Sequence, residues 1–235
     1  MFNPSPTVHA VPLFDGRECL VIDDALQDPH GWAQWSAEQR ARFAPSGVAY
    51  PGVELWLAEE ATERFAEFFA QYIRSRLGAR RTVNAACRMS LVTQQPGELA
   101  ARQWQCHRDN RGVPEEESMI AAVLYLFEDP ALGGTSFYRP RQGAEETERM
   151  VRDSGQLDTE AFAQRYPQVR RGYMTEGNDW FEHMLTLPPR WNRAIFYDGG
   201  LFHSGDIREP ARMTADPATG RLTMNAFLRC RRKAR

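Results

Sequence analysis

The segment Gln105-Cys106-His107-Arg108-Asp109 sets an imidazole and a carboxylate two residues apart. On an extended strand, residues i and i+2 share a face, so both groups can meet one ion while Arg108 points away. His-x-Asp is a weak signal by itself. It gains weight from a second imidazole, because the apolar run 194–197 passes through Asp198-Gly199-Gly200 and presents His203 beside the small pair Ser204-Gly205. Two histidines and one carboxylate cover one face of an octahedral ion and leave three positions open. That is the donor set of non-haem Fe(II) oxygenases, where a cosubstrate and dioxygen must both reach the metal. A cosubstrate needs an anchor of its own. In Gly220-Arg221-Leu222-Thr223-Met224-Asn225 the alternate residues Arg221 and Thr223 share a face, offering a guanidinium fork and a hydroxyl to a carboxylate. Arg212 is the alternative anchor, nearer to His203 in sequence but within the turn-like stretch 211–220.

These groups need elements to position them. Glu18–Ile22 is short, apolar and β-branched and reads as an edge strand, after which Asp23-Asp24 opens a helical stretch through Trp32 and Trp35. Residues 57–77 place apolar side chains at three-to-four spacing, with Gly78 where a C-capping glycine belongs, so an amphipathic helix is predicted there. Short runs follow at 85–92, 104–107, 120–127, 135–138, 193–197 and 221–228, separated by Gly, Pro and Asp clusters. This texture predicts an antiparallel sandwich or barrel preceded by helices. Between 141 and 189 the sequence turns charged and helical, at 144–152 and 158–165, and then reaches Trp180 and Phe181. The expectation is an α+β chain with a mainly β core. It forms a single domain over 1–235, with a strand and supporting helices in 1–84 and the β core in 85–228, interrupted by a helical insertion at about 141–189.

Composition removes several mechanisms. The 235 residues carry 29 basic and 31 acidic side chains, a net charge of −2, which argues against a general binder of nucleic acid or anionic membrane. Apolar stretches fall short of a membrane span and the first residues lack the order of a signal peptide, so a cytoplasmic protein with no membrane partner is expected. All basic residues but Lys233 are arginine, which excludes Schiff-base chemistry, a pyridoxal-phosphate anchor and a phosphate-loop lysine. Cys19, Cys87, Cys106 and Cys230 lie too far apart for a zinc ribbon and are expected as free thiols. There is no Gly-x-Ser-x-Gly, His-Glu-x-x-His or Gly-x-Gly-x-x-Gly. His183 is expected to pack within its aromatic segment, His9 to lie in a tail and His30 at a helix start. Trp104, Phe137, Phe196 and Phe227 are expected in the core.

Taken in order, Pro96-Gly97, His107-Arg108-Asp109, Ala122-Val123-Leu124-Tyr125-Leu126, Gly133-Gly134-Thr135-Ser136-Phe137, His203-Ser204-Gly205 and Gly220-Arg221-Leu222-Thr223 resemble a known family. It is the Fe(II)/2-oxoglutarate-dependent dioxygenase superfamily, in its prolyl-hydroxylase-like branch, and the likeness covers about 88–228. The resemblance implies a distorted double-stranded β-helix, a jelly-roll or cupin-like fold, with His107, Asp109 and His203 binding Fe(II). It implies 2-oxoglutarate and O2 as cosubstrates, with Arg221 on the distal carboxylate and Thr223 and Tyr125 assisting, and ascorbate helpful in vitro. The implied reaction hydroxylates an aliphatic C–H of a small-molecule or peptide substrate and releases succinate and CO2; Asp109 speaks against halogenation. Two departures stand out. Gln94 replaces the tyrosine that many relatives carry three residues before the glycine of the Pro-Gly turn, and the gap from Gly97 to His107 is long. The long segment after Phe137 reads either as a lid or substrate-recognition element that closes on substrate or as a solvated surface insertion. Other readings of the same residues are a cupin-like hydrolase or isomerase holding zinc or manganese, and a non-catalytic binding module on the same fold.

Overall fold

The strand Leu222–Arg232 shows how the chain is layered. Its alternate residues Leu222, Met224, Ala226, Leu228 and Cys230 are fully buried in one apolar layer, while Thr223, Asn225 and Phe227 face the other way. A strand buried on both faces must have a layer on each side.

The computed structural model describes residues 1–47 and 50–233; Ala234 and Arg235, the end of the basic terminal run, lie outside the described residues. The elements run β1 (His9–Pro12), β2 (Glu18–Ile22), α1 (Pro29–Glu38), β3 (Ala44–Pro45), β4 (Gly52–Trp56) and α2 (Glu59–Tyr72). Then come β5 (Ala79–Val92), β6 (Glu117–Tyr125), β7 (Thr135–Pro140), α3 (Ala144–Gln156) and α4 (Thr159–Arg165). The last are β8 (Phe181–Leu187), β9 (Arg193–Asp198), β10 (Phe202–Gly205) and β11 (Leu222–Arg232). An eight-stranded sheet in the order β1-β2-β9-β6-β11-β5-β4-β3 faces a three-stranded sheet, β10-β7-β8, and every pairing is antiparallel. Tyr125, Ile195 and Tyr197 of the large sheet pack with Phe137 and Leu187 of the small one. On its other face the large sheet carries α2, whose Phe65, Phe68 and Phe69, with Ile73 just beyond it, follow helical spacing and pack with Leu20, Ile22, Phe196 and Met224. Each such side chain contributes roughly 1.5–3 kcal/mol on burial.

Several expectations are corrected. β2 is an inner strand, because β1 pairs along its free edge, and His9 lies in β1 rather than in a tail. The second helix ends at Tyr72 and not at Leu77: the Arg74 amide already reaches back to the Phe69 carbonyl, and Gly78, at φ +71°, closes the turn that follows. No strand covers 104–107; short 3-10 turns precede it and His107 alone makes a bridge. The segment 141–189 is helical only in its first half, since β8 is a full strand of the small sheet. α3 and α4 bury Met150, Phe162 and Tyr166 against Trp104.

Candidate metal centre

His107 and His203 exchange backbone hydrogen bonds, each amide donating to the other's carbonyl at 2.9 Å, and the Asp109 amide donates to the Gly199 carbonyl at 2.7 Å. This stitching, rather than a regular strand, brings the three residues together. It depends on Gly199, where a Cβ would stand 3.2 Å from that of Asp109 and 3.1 Å from the Met119 carbonyl.

One ligand atom from each of His107, Asp109 and His203 lies within 4.8 Å of the others. Nε2 of His107 is 3.5 Å from Oδ1 of Asp109, and Nε2 of His203 is 3.3 Å from Oδ2. The Nδ1 of His203 lies 2.9 Å from the Leu201 carbonyl, which can only accept, so Nδ1 keeps its proton, and it is Nε2, facing Asp109, that would give up a proton to turn a lone pair to a metal at the shared point. Burial works against a charged His203, but the Asp109 carboxylate outweighs it and raises the pKa. Burial likewise opposes an ionised Asp109, and the charge and hydrogen bond of His203 overcome it and lower that pKa. His107 stands at the mouth, its inner edge desolvated and its outer edge wet; desolvation and the neighbouring His203 lower it to about 4. Its side chain is 52 % exposed against 6 % for His203, so the approach is from the His107 side. Tyr197 and Phe137 wall the ring of His203 from behind, at 4.8 and 6.4 Å between centroids.

Arg221 immediately precedes β11 and is buried. Its Nε donates to the Gly133 carbonyl at 3.0 Å and its Nη2 to the Gly134 carbonyl at 2.9 Å, leaving Nη1 with no acceptor among the described residues. Beside it, the buried hydroxyls of Thr223 and Tyr50 lie near one another but form no hydrogen bond of good geometry with each other or with any other described residue. Burial raises Tyr50 to about 12, with Arg221 and Thr223 among the groups acting on it. Tyr125 shares the inner face, but its hydroxyl is already bonded to Oγ1 of Thr135 at 2.8 Å. Arg212 lies half exposed at the surface, paired with Asp129 and Glu209, and does not join this group. The Gln94 amide accepts from Gln103, and its backbone carbonyl accepts from the Tyr173 hydroxyl at 2.7 Å. A phenol does reach this corner, therefore, but from the segment after α4.

Sequence reasoning missed Tyr50. Tyr50 precedes Gly52-Val53-Glu54-Leu55-Trp56, whose alternation marks β4 and could have drawn attention to it. His183 packs as expected, 5.4 Å from the Tyr138 ring and 2.8 Å from the Thr186 hydroxyl, and His30 sits in the first turn of α1 against Trp191. Trp104, Phe137 and Phe196 are core residues, while Phe227 is only partly buried. All four cysteines are free and buried; Cys106, next to His107, packs with Trp104 and Met174, and burial raises its thiol well above the usual range.

The donor chemistry fits a divalent metal, and the unsatisfied donors beside Arg221 fit a carboxylate. Among the described residues no helix is long and apolar enough to cross a membrane. A family of unknown function, DUF6445, matches residues 4–228. No curated protein matches the chain. Among solved structures, the chain is similar to HygX from Streptomyces hygroscopicus with nickel and 2-oxoglutarate bound, at 12% identity and TM-score 0.48, covering 93% of this chain and 84% of that one. It is also similar to SnoK, a non-heme alpha ketoglutarate dependent carbocyclase from nogalamycin biosynthesis, at 13% identity and TM-score 0.48, over 90% and 79% of the two chains. EvdO2 from Micromonospora carbonacea var. aurantiaca is similar at 10% identity and TM-score 0.46, over 98% and 96%.

Proposed function

The chain belongs to the DUF6445 family, and for this member we propose an Fe(II)- and 2-oxoglutarate-dependent oxygenase of the hydroxylase type. What carries the reading is the pair of orphaned hydroxyls beside Arg221. A buried hydroxyl without a partner costs roughly 1–3 kcal/mol, and two of them next to a buried guanidinium are satisfied together by one carboxylate. The register supports the distance: Arg221, Thr223 and Asn225 alternate along one face of β11, leading from that group toward the triad. The two facing sheets support a double-stranded β-helix, with His107, Asp109 and His203 at one end, and the order of motifs favours the prolyl-hydroxylase-like branch.

Fe(II) with 2-oxoglutarate and O2 supplies oxidative decarboxylation to succinate and CO2, coupled to hydroxylation of an aliphatic C–H. The chain's own residues do the rest. His107, Asp109 and His203 would hold the ion by one face and leave the other open. Arg221, with Thr223 and Tyr50, would hold the distal carboxylate and so fix the orientation of the oxo acid. Leu201 keeps the tautomer of His203, and Tyr197 and Phe137 exclude water behind it.

Calorimetry under anaerobic conditions, with Fe(II) and then 2-oxoglutarate, tests this. Stoichiometric metal binding that is lost in Asp109→Ala, followed by 2-oxoglutarate binding that is weakened in Thr223→Val, is the expected result. Metal binding with no affinity for 2-oxoglutarate would instead favour a cupin-like hydrolase or isomerase.

A further inference from the structure

Arg88 in β5 pairs with Asn225 in β11 and with Trp56 in β4, one row of the inner face away from Thr223 and Ser90. Its Nε is 2.9 Å from Oε1 of Glu54, and its Cζ lies 4.7 Å from the Phe227 ring centroid, 5.3 Å from Trp56 and 5.8 Å from Tyr50. Three rings and a carboxylate thus fix the guanidinium in place. Its Nη1 and Nη2 have no hydrogen-bond acceptor among the described residues, although the side chain is only 12 % exposed. The fork is not sealed off, so its nitrogens meet water in the free chain and stay open to a ligand while the rings hold the plane of the guanidinium. Trp56, in contact with it, is 57 % exposed; among the described residues only Trp56 and Val83 are large apolar side chains left so open. Tyr50, which the guanidinium meets at 5.8 Å, is also one of the two hydroxyls beside Arg221, so Arg88 borders the cosubstrate group.

We propose that Arg88 is the substrate-recognition residue of this site, receiving the carboxylate of a monoanionic organic acid whose apolar body lies along Trp56 and Phe227. This rests on the oxygenase reading and adds the substrate class. The planar fork suits a carboxylate. Glu54 cancels the formal charge of Arg88 and would face any second negative charge, so a carboxylate monoanion is accepted where a phosphate dianion is opposed.

The test uses the full chain loaded anaerobically with Fe(II) and saturating 2-oxoglutarate, titrated with phenylacetate, 3-phenylpropionate and hexanoate, their primary amides, and benzyl phosphate. At least one acid is expected to bind about tenfold more tightly than its amide and than the phosphate, as a charge-assisted contact allows. Arg88→Gln should remove that preference with 2-oxoglutarate affinity unchanged, and Arg88→Lys should restore part of it. Trp56→Ala, at an exposed position that folding tolerates, should weaken acid and amide alike. The proposal is overturned if no acid outbinds its amide, or if Arg88→Gln lowers 2-oxoglutarate affinity instead, which would assign Arg88 to the cosubstrate. Failure of the wild type to bind metal and 2-oxoglutarate at all appears before any acid is added; it defeats the oxygenase reading and this proposal with it.

Discussion

Thr223 and Tyr50 keep their hydroxyls buried and unpaired, so in the ligand-free chain they weaken the fold rather than support it. Thr223→Val and Tyr50→Phe should therefore leave the melting temperature unchanged or slightly raised while 2-oxoglutarate affinity drops by about tenfold. Thermal melts beside calorimetry check both halves. Arg221→Ala is a less clean probe, because the guanidinium also ties down the Gly133 and Gly134 carbonyls. The histidines predict a pH dependence. A ligating imidazole must be neutral, and Asp109 raises His203 above the ordinary histidine value, so below that raised pKa the metal displaces one proton. His107, lowered to about 4, is already neutral there and Asp109 already ionised. Metal affinity should be flat above the His203 pKa and fall by about tenfold per pH unit below it; competition titrations across this range would show it. A decline steeper than one proton between pH 5 and 6, well above the lowered pKa of His107, would contradict the assigned protonation states.

Among the elements, the junction of β2 with the turn before β9 is held by Asp23. Its carboxylate accepts from Arg193 at 2.6 and 3.0 Å and from Arg190 at 2.9 Å, and the Arg193 hydrogen bond holds its pKa below the usual value. The folded pKa being the lower one, this stabilisation is complete above the unfolded value near about 3.9 and fades as pH falls through the folded one. Asp23→Asn should cost about 1 kcal/mol in urea unfolding at neutral pH, a figure reduced for partial exposure, and the difference from wild type should shrink under acid. Segment 141–189 divides in two. α3, α4 and β8 bury Met150, Phe162 and Phe181 and should be strongly protected from hydrogen exchange, whereas residues 170–178 carry no helix or strand and should exchange early. Protection there that rises on adding 2-oxoglutarate would confine any closing motion to this stretch around Tyr173. The elements were legible where periodicity was strong: Glu18–Ile22, the β7 and β9 starts at Thr135 and Arg193, and the α3 start stand where the pattern put them, and α4 starts one residue later because Asp158 caps it. β1 and β8 escaped because short or polar edge strands take their conformation from their neighbours, and the inner strand β4 escaped because it is only five residues long. His107 and Asp109 were found for a partly mistaken reason, since they converge by bridging to β10 and Gly199 and not by strand alternation.

In the molecule as a whole, the triad joins parts that are distant in the chain. His107 and Asp109 lie on the connection from β5 to β6 of the large sheet, and His203 on β10 of the small one. An ion bound there cross-links the two sheets and has no equivalent in the unfolded chain. Metal at about 100 times its dissociation constant should add about 2.7 kcal/mol of stability, read as a rise in melting temperature that a chelator reverses and that Asp109→Ala does not show. The register of contacts between sheets was not legible beforehand. Arg221 on the Gly133 and Gly134 carbonyls and Tyr125 on Thr135 are long-range pairings that no local pattern encodes.

The placement of Cys106 bears on which ion would occupy the triad where several metals compete. Sulfur is the donor that thiophilic ions such as zinc and cuprous copper seek, and it binds them as thiolate. Here the sulfur nearest in sequence to the triad is turned into the Trp104 cluster and kept protonated by burial. Mis-loading by soft ions thus gains nothing from it, and two nitrogens and one oxygen leave the choice of occupant to supply more than to affinity.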